Sequence, residues 1–148
     1  MGRRCVPRRG LPQPRLEHTY EDSRCQTWPA GELDPLDGTA LTHTDPNPGN
    51  VLITEEGRAV LVDWAWPTRA AAWIDAACWV VWLIASGHTP APAERWAAAV
   101  PAWKRADERA LGVFAAVQAR LWAGITTGAA PWSRQVAEAA ARWQEHRL

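Results

Sequence analysis

Beyond Thr42 the chain sorts into short apolar runs divided by polar turns, then into long stretches with helical spacing. Asn50-Val51-Leu52-Ile53 and Ala59-Val60-Leu61-Val62 are rich in strand-favouring residues and flank Thr54-Glu55-Glu56-Gly57-Arg58, a polar turn holding one glycine. This pattern predicts a β-hairpin. Centred on the turn, it sets Ile53 opposite Val60 and Asn50 opposite Asp63. From Ala70 to Ala85 the chain is apolar apart from Asp75, with Ile74, Cys78, Val81 and Ala85 at helical spacing, which predicts a helix buried on all sides and ended by Gly87. Thr89-Pro90 reads as an N-cap followed by proline at the first helical position, opening a helix that stops before Pro101. A longer helix is predicted from about Trp103 to Ile125, with Leu111, Phe114, Val117, Leu121 and Trp122 on one side and Gly128 closing it. The last helix runs from about Pro131 to Arg147 on a stripe of Trp132, Val136, Ala139, Ala140 and Trp143. The expected order is coil, hairpin and four helices: an α+β fold, mainly α.

Composition narrows this picture. A chain of 148 residues with 47% hydrophobic content supports one globular domain with a sizeable core. Eleven tryptophans stand beside one tyrosine, one phenylalanine and one methionine, a bias that fits a GC-rich coding sequence, and most of them are expected in the core or half-buried on helices. Cys5, Cys25 and Cys78 show no C-x-x-C spacing, which points to a reduced, cytoplasmic protein. Residues 1–30 are arginine-rich without an apolar run, and are expected to be a disordered or truncated leader rather than a secretory signal or a nucleic-acid arm. The apolar run at 70–85 holds an acid and falls short of the roughly 20 residues a membrane span needs, so no membrane partner is expected.

Net charge is zero but unevenly placed. Residues 1–30 carry six Arg against three acids, residues 31–89 carry two Arg against eight acids, and residues 90–148 carry eight bases against five acids. The acidic middle segment suits a bound metal or a cationic ligand, although solvated carboxylates account for most such excesses.

The candidate chemistry lies inside that segment, in His43-x-Asp45-x-x-x-x-Asn50 followed by the hairpin and Asp63. Side chains directly opposed in a hairpin start about 5 Å apart at Cβ, close enough for Asn50 and Asp63 to share one cation. A carboxylate and an amide oxygen are hard ligands suited to Mg²⁺. Asp45 opens the turn-rich loop Asp45-Pro46-Asn47-Pro48-Gly49, from which it could accept a proton from a substrate hydroxyl. Each residue alone has a structural reading: Asp45 as a turn residue before Pro46, Asn50 as a cap, Asp63 as a strand end. Their joint occurrence with Asp75 behind them favours a metal site. His43 reads better as a hydrogen-bonded structural histidine than as a base, because Asp45 already supplies a carboxylate. His88 and His146 fall at helix ends, and Arg69 suits either a phosphate or the surface.

These motifs resemble the aminoglycoside phosphotransferase family of the protein-kinase-like fold, and the likeness extends from about residue 36 to 146 with its specificity in 42–75. The resemblance implies a kinase-like C-terminal lobe over residues 31–148, with Asp45 as catalytic base, Asn50 and Asp63 as Mg²⁺ ligands, His43 as a loop-organising residue and Asp75 bracing the loop. It implies transfer of the γ-phosphate of ATP to a small-molecule hydroxyl. Arg69-Ala70-Ala71 departs from the family, which often has a glycine there. The N-terminal lobe that covers ATP is expected to be absent: only 42 residues precede His43, no Gly-rich phosphate loop occurs, and the one lysine is Lys104. Two readings follow, a phosphotransferase that needs a missing lobe or a self-associated partner, and a non-catalytic remnant or interaction module that keeps the fold. The net positive charge beyond residue 90 weighs against a polycationic acceptor and leaves a neutral or acidic one open.

Overall fold

The computed structural model of the protein describes residues 31–125 and 130–148. The leader expected at 1–30, the helix stop at Gly128, and Cys5 and Cys25 lie outside them. Strands β1 (Ala40–Thr42), β2 (Val51–Ile53), β3 (Ala59–Leu61) and β4 (Thr68–Ala70) precede helices α1 (Ile74–Ala85), α2 (Pro90–Ala97), α3 (Glu108–Ile125) and α4 (Pro131–His146). Short 3₁₀ turns occupy Asp34–Leu36, Pro48–Asn50 and Pro101–Arg105. The described residues are mainly helical with two small antiparallel sheets, an arrangement that fits the α+β class.

The hairpin forms where its residues predict, but its register is one residue off the expected pairing. Val51 faces Leu61 and Ile53 faces Ala59, not Val60. The cause is Gly57, whose φ of +76° completes a three-residue loop closed by Thr54 N–H to Arg58 C=O at 2.9 Å and Gly57 N–H to Thr54 C=O at 2.9 Å. A turn ending in a left-handed glycine adds one residue to that side of the hairpin. The Asn50 carbonyl therefore receives the N–H of Val62 at 2.9 Å, and Asp63 falls one position beyond that pair. In the same turn the Thr54 hydroxyl donates to Glu56 and holds its carboxyl below the ordinary value.

A second sheet has no counterpart in the predicted elements. β1 pairs with β4, setting Ala40 opposite Ala70 and Thr42 opposite Thr68. Its segments, Ala-Leu-Thr and Thr-Arg-Ala, are too short to show a period of two, and the pairing spans 26 residues between Thr42 and Thr68. Thr42 Oγ1 donates to the Thr68 carbonyl at 2.9 Å, with both residues buried. Gly38 packs so close to β4 that a Cβ there would collide with the Ala70 carbonyl and the Ala71 nitrogen.

Because Thr68–Ala70 belongs to a strand, α1 begins at Ile74 rather than at Ala70. It is the central helix, with Ile74, Ala77, Val80, Val81 and Ile84 buried, but Trp79 is 39% exposed, so the helix is not buried on every side. Gly87 ends it with φ +104°, donating its N–H to the Ile84 carbonyl. Thr89 precedes Pro90 in an extended conformation, but its side chain makes no capping bond. α3 begins at Glu108 rather than near Trp103, because Asp107 caps it by accepting the Ala110 N–H at 2.7 Å. Trp103 lies instead in the 3₁₀ turn Pro101–Arg105.

Phe114 on α3 meets Trp73 and Trp143 edge-on, at 5.6 Å and 6.1 Å between ring centroids. Glu94 on α2 ties the C-terminal turn down, accepting from Trp143 Nε1 at 2.6 Å and Arg147 Nε at 2.6 Å. Arg147 also pairs with Glu108. The expected stripe of α4 needs one correction, since Val136, Ala139, Ala140 and Trp143 are buried while Trp132 is 55% exposed. The tryptophans as a group are less buried than expected: Trp64, Trp66, Trp79, Trp96 and Trp132 are all exposed. Among the described residues no helix is long and apolar enough to cross a membrane.

Candidate active site

The loop between β1 and β2 carries the polar motif and is gripped from below by α1. Asp75, in the first turn of α1, accepts the His43 N–H at 2.9 Å through Oδ2 and the Thr44 N–H at 2.8 Å through Oδ1. Both bonds are charge-assisted and partly buried, hence stronger than ordinary amide bonds. They hold Thr44 at φ +63°, a left-handed conformation rare for a β-branched residue and costing about 1–3 kcal/mol. The Thr44 hydroxyl donates to the Trp66 carbonyl at 3.1 Å, and the Cys78 thiol approaches the Thr44 carbonyl at 3.6 Å. Thus a tight bend immediately before Asp45 is pinned at its amides, its hydroxyl and its carbonyl.

His43 is 1% exposed and joins this loop to the end of the hairpin. Its Nδ1 accepts the Asp45 N–H at 3.3 Å, so the proton sits on Nε2, which donates to the Val62 carbonyl at 2.8 Å. The ring also meets Trp64 edge-on at 4.7 Å. Both ring nitrogens are engaged with backbone groups.

Asp45 is half-buried and Asn50 is tied to it. Asn47 caps the 3₁₀ turn Pro48–Asn50 by accepting the Gly49 N–H at 2.8 Å, which curls the loop back on itself. The Asn50 amide nitrogen then donates to the Asp45 carbonyl at 3.0 Å and to its Oδ2 at 3.3 Å. The amide oxygen of Asn50 is left as an acceptor. Asp63 is exposed and has φ +59°, a turn that Asp tolerates better than most residues and that diverts the chain as it leaves β3. Because of the hairpin register, Asp63 is not the direct cross-strand partner of Asn50; His43, hydrogen-bonded to both Asp45 and Val62, links the two sides of the site instead.

Among the described residues no group of three or more His, Cys, Asp or Glu side chains is placed to hold a metal. The side-chain oxygens of Asp45, Asn50 and Asp63 are hard donors, of the kind Mg²⁺ takes. Mg²⁺ is commonly held by one or two carboxylates with phosphates and waters completing its shell.

Thr44, Asp45, Trp66, Trp82, Gln118 and Trp122 are among the residues that line a cavity of about 100 Å³. From the sequence, tryptophan faces suit stacking on sugars, but core packing is the simpler expectation for them, and no spacing brings Trp66, Trp82, Gln118 and Trp122 together. Only the approach of α1 to α3 turns those faces into walls.

No curated protein and no solved structure matched the chain. The model of the phosphotransferase enzyme family does match it, over residues 4–125, which takes in the whole of the loop, hairpin, α1 and α3 just described, and the chain belongs to that family.

Proposed function

We propose that residues 31–148 form a kinase-like C-terminal lobe whose loop 43–50 supports transfer of the γ-phosphate of ATP to the hydroxyl of a small molecule. The observation that carries this reading is Asp45, a half-buried residue lining a cavity, with one carboxylate oxygen held by Asn50. In that position Asp45 takes the hydroxyl proton as the acceptor oxygen bonds to the γ-phosphorus and the bond to the β-phosphate oxygen breaks, releasing ADP. Asn50 and Asp63 would hold Mg²⁺, which when bound neutralises charge on the phosphates. His43 and Asp75 act on the backbone, His43 by orienting the Asp45 amide and Asp75 by holding the bend before it. A reduced, cytoplasmic setting suits Cys78, which is buried as a thiol outside any disulfide.

The phosphates also need cations. The single lysine, Lys104, lies exposed in the 3₁₀ turn Pro101–Arg105, away from the loop in sequence and on another element. We therefore assign the remaining nucleotide contacts to a partner lobe or a second copy. Leu41, Leu52 and Ile53 are 53%, 55% and 67% exposed on the short strands, apolar side chains that such a cover would shield. The same two features favour the second reading, a lobe kept for interaction without turnover.

Calorimetric titration of ATP into the purified chain, with and without Mg²⁺, separates the two. The expected result is Mg²⁺-dependent binding that Asp63→Asn abolishes and Asp45→Asn retains. Absence of nucleotide binding by chain shown to be folded would overturn the phosphotransferase reading and favour the interaction module.

A further inference from the structure

We infer that the cavity beside Asp45 receives an uncharged, ring-bearing alcohol, recognised by tryptophan faces and not by charge. The inference rests on the proposed role of Asp45 for its chemistry, but the cavity and its walls stand independently of it. Among the described residues, Asp45 is the only acidic side chain on the wall, and no Lys, Arg or His lines it. A polycationic acceptor needs several carboxylates to replace its hydration, and the one carboxylate here faces the hydroxyl proton. An anionic acceptor would lie against Asp45 with no countercharge. Negative charge and multiple positive charge on the ligand are therefore unfavourable.

What the wall offers instead is indole surface, and its geometry is fixed beforehand. Trp82 on α1 and Trp122 on α3 meet edge to face at 5.8 Å and 86°. Trp132 on α4 backs both, stacked on Trp82 at 6.4 Å and edge-on to Trp122 at 6.2 Å. The Trp122 indole N–H donates to Gln118 Oε1 at 3.2 Å, which fixes its rotamer. Trp66 is 57% exposed, and the hydroxyls of Thr44 and Thr68 hold its backbone by donating to its carbonyl at 3.1 Å and 3.0 Å. Thr44 is the residue before Asp45, so the bend that sets the carboxylate also sets Trp66. Rigid aromatic walls take the apolar face of a ring without losing side-chain entropy, while the ring's hydroxyl reaches the carboxylate. The volume of about 100 Å³ limits the occupant to one ring-sized group, given that a water needs about 10–15 Å³ by the same measure.

The test is ligand-observed NMR and calorimetry on the full chain without nucleotide, using cyclohexane-1,2-diol, myo-inositol and methyl β-glucopyranoside as neutral probes. Gluconate, choline and kanamycin serve as anionic, monocationic and polycationic probes. Because no ATP is present, loss of the phosphotransferase reading leaves this result interpretable. The expected outcome is binding of at least one neutral ring alcohol, weakened about tenfold by Trp66→Ala and by Trp122→Phe, with Asp45→Asn changing it less than either. Trp66→Ala removes an exposed ring and keeps the backbone carbonyl, so it guards against a failure to fold in the Trp122 variant. Preferential binding of kanamycin, choline or gluconate would overturn the inference. So would failure of all three neutral probes to bind at tens of millimolar, or neutral binding that ignores both tryptophan substitutions.

Discussion

Replacing Asp75 by alanine isolates the grip on which the whole loop depends. The substitution removes two charge-assisted bonds, to the His43 and Thr44 amides at 2.9 Å and 2.8 Å. Bonds to a charged group contribute about 1.5–3 kcal/mol each, so the gross loss is about 3–6 kcal/mol. Part returns when Thr44 relaxes from φ +63°, a conformation that stores about 1–3 kcal/mol. Weak bonds with little strain, or strong bonds with much, leave a net destabilisation of about 2–3 kcal/mol. For a chain of 148 residues that lowers Tm by roughly 4–12 °C. Asp75→Asn should cost nearly as much, because the amide group would turn a donor toward one of the two N–H groups. Thermal and urea unfolding followed by circular dichroism measure the cost. The sharper check is the pair with Thr44→Gly: glycine carries no left-handed penalty, so Asp75→Ala should cost more when combined with Thr44→Gly, where no strain is released. A Tm for Asp75→Ala within about 1 °C of the parent would refute the claim that Asp75 braces the loop.

Three further outcomes are expected. Gly38→Ala should destabilise by about 1–3 kcal/mol in urea unfolding, because the added methyl meets the backbone of β4 and not a side chain that can move; an unchanged midpoint would mean the two segments are not in contact. Glu94→Gln should cost about 1–3 kcal/mol, since the Trp143 and Arg147 donors it satisfies are buried or nearly so, and amide exchange at the end of α4 should speed up; exchange there matching the parent would count against the tether. Thr54→Val should raise the pKa of Glu56 back toward 4.5, as read by NMR titration, because the Thr54 hydroxyl is the main cause of its depression. A depressed carboxyl stabilises the fold above its unfolded value and loses that contribution as pH falls through the folded value, so the variant hairpin should be less sensitive to acid.

Much of this molecule follows from residue chemistry within a few positions. Apolar runs around a glycine-bearing turn were enough to predict β2 and β3, and proline at Pro90 and Pro131 placed the starts of α2 and α4. His43, Asp45, Asn50, Asp63 and Asp75 stand out in the sequence by their spacing, and all five lie inside the stretch that the family model matches. Local signals misled where two elements compete for one segment. Ala70 opens the apolar run that leads into α1, yet it is captured as the end of β4, opposite Ala40 on β1. Asp107 was a visible cap that the apolar pattern around Trp103 obscured, and it moved the start of α3 to Glu108.

Other properties required the chain to meet itself. The hairpin register turned on the sign of one dihedral, φ +76° at Gly57, which a list of turn residues does not specify. The strained bend at Thr44 exists because Asp75, 31 residues later, reaches both loop amides. Trp82 and Trp122 each satisfy the pattern of a core residue, and only the packing of α1, α3 and α4 leaves their faces bordering a cavity at Asp45. Periodicity records which side of a helix avoids water, because burial is a property of one element's surface. It does not record whether that side meets another helix or a space large enough for a ligand, because that depends on where the other elements come to rest.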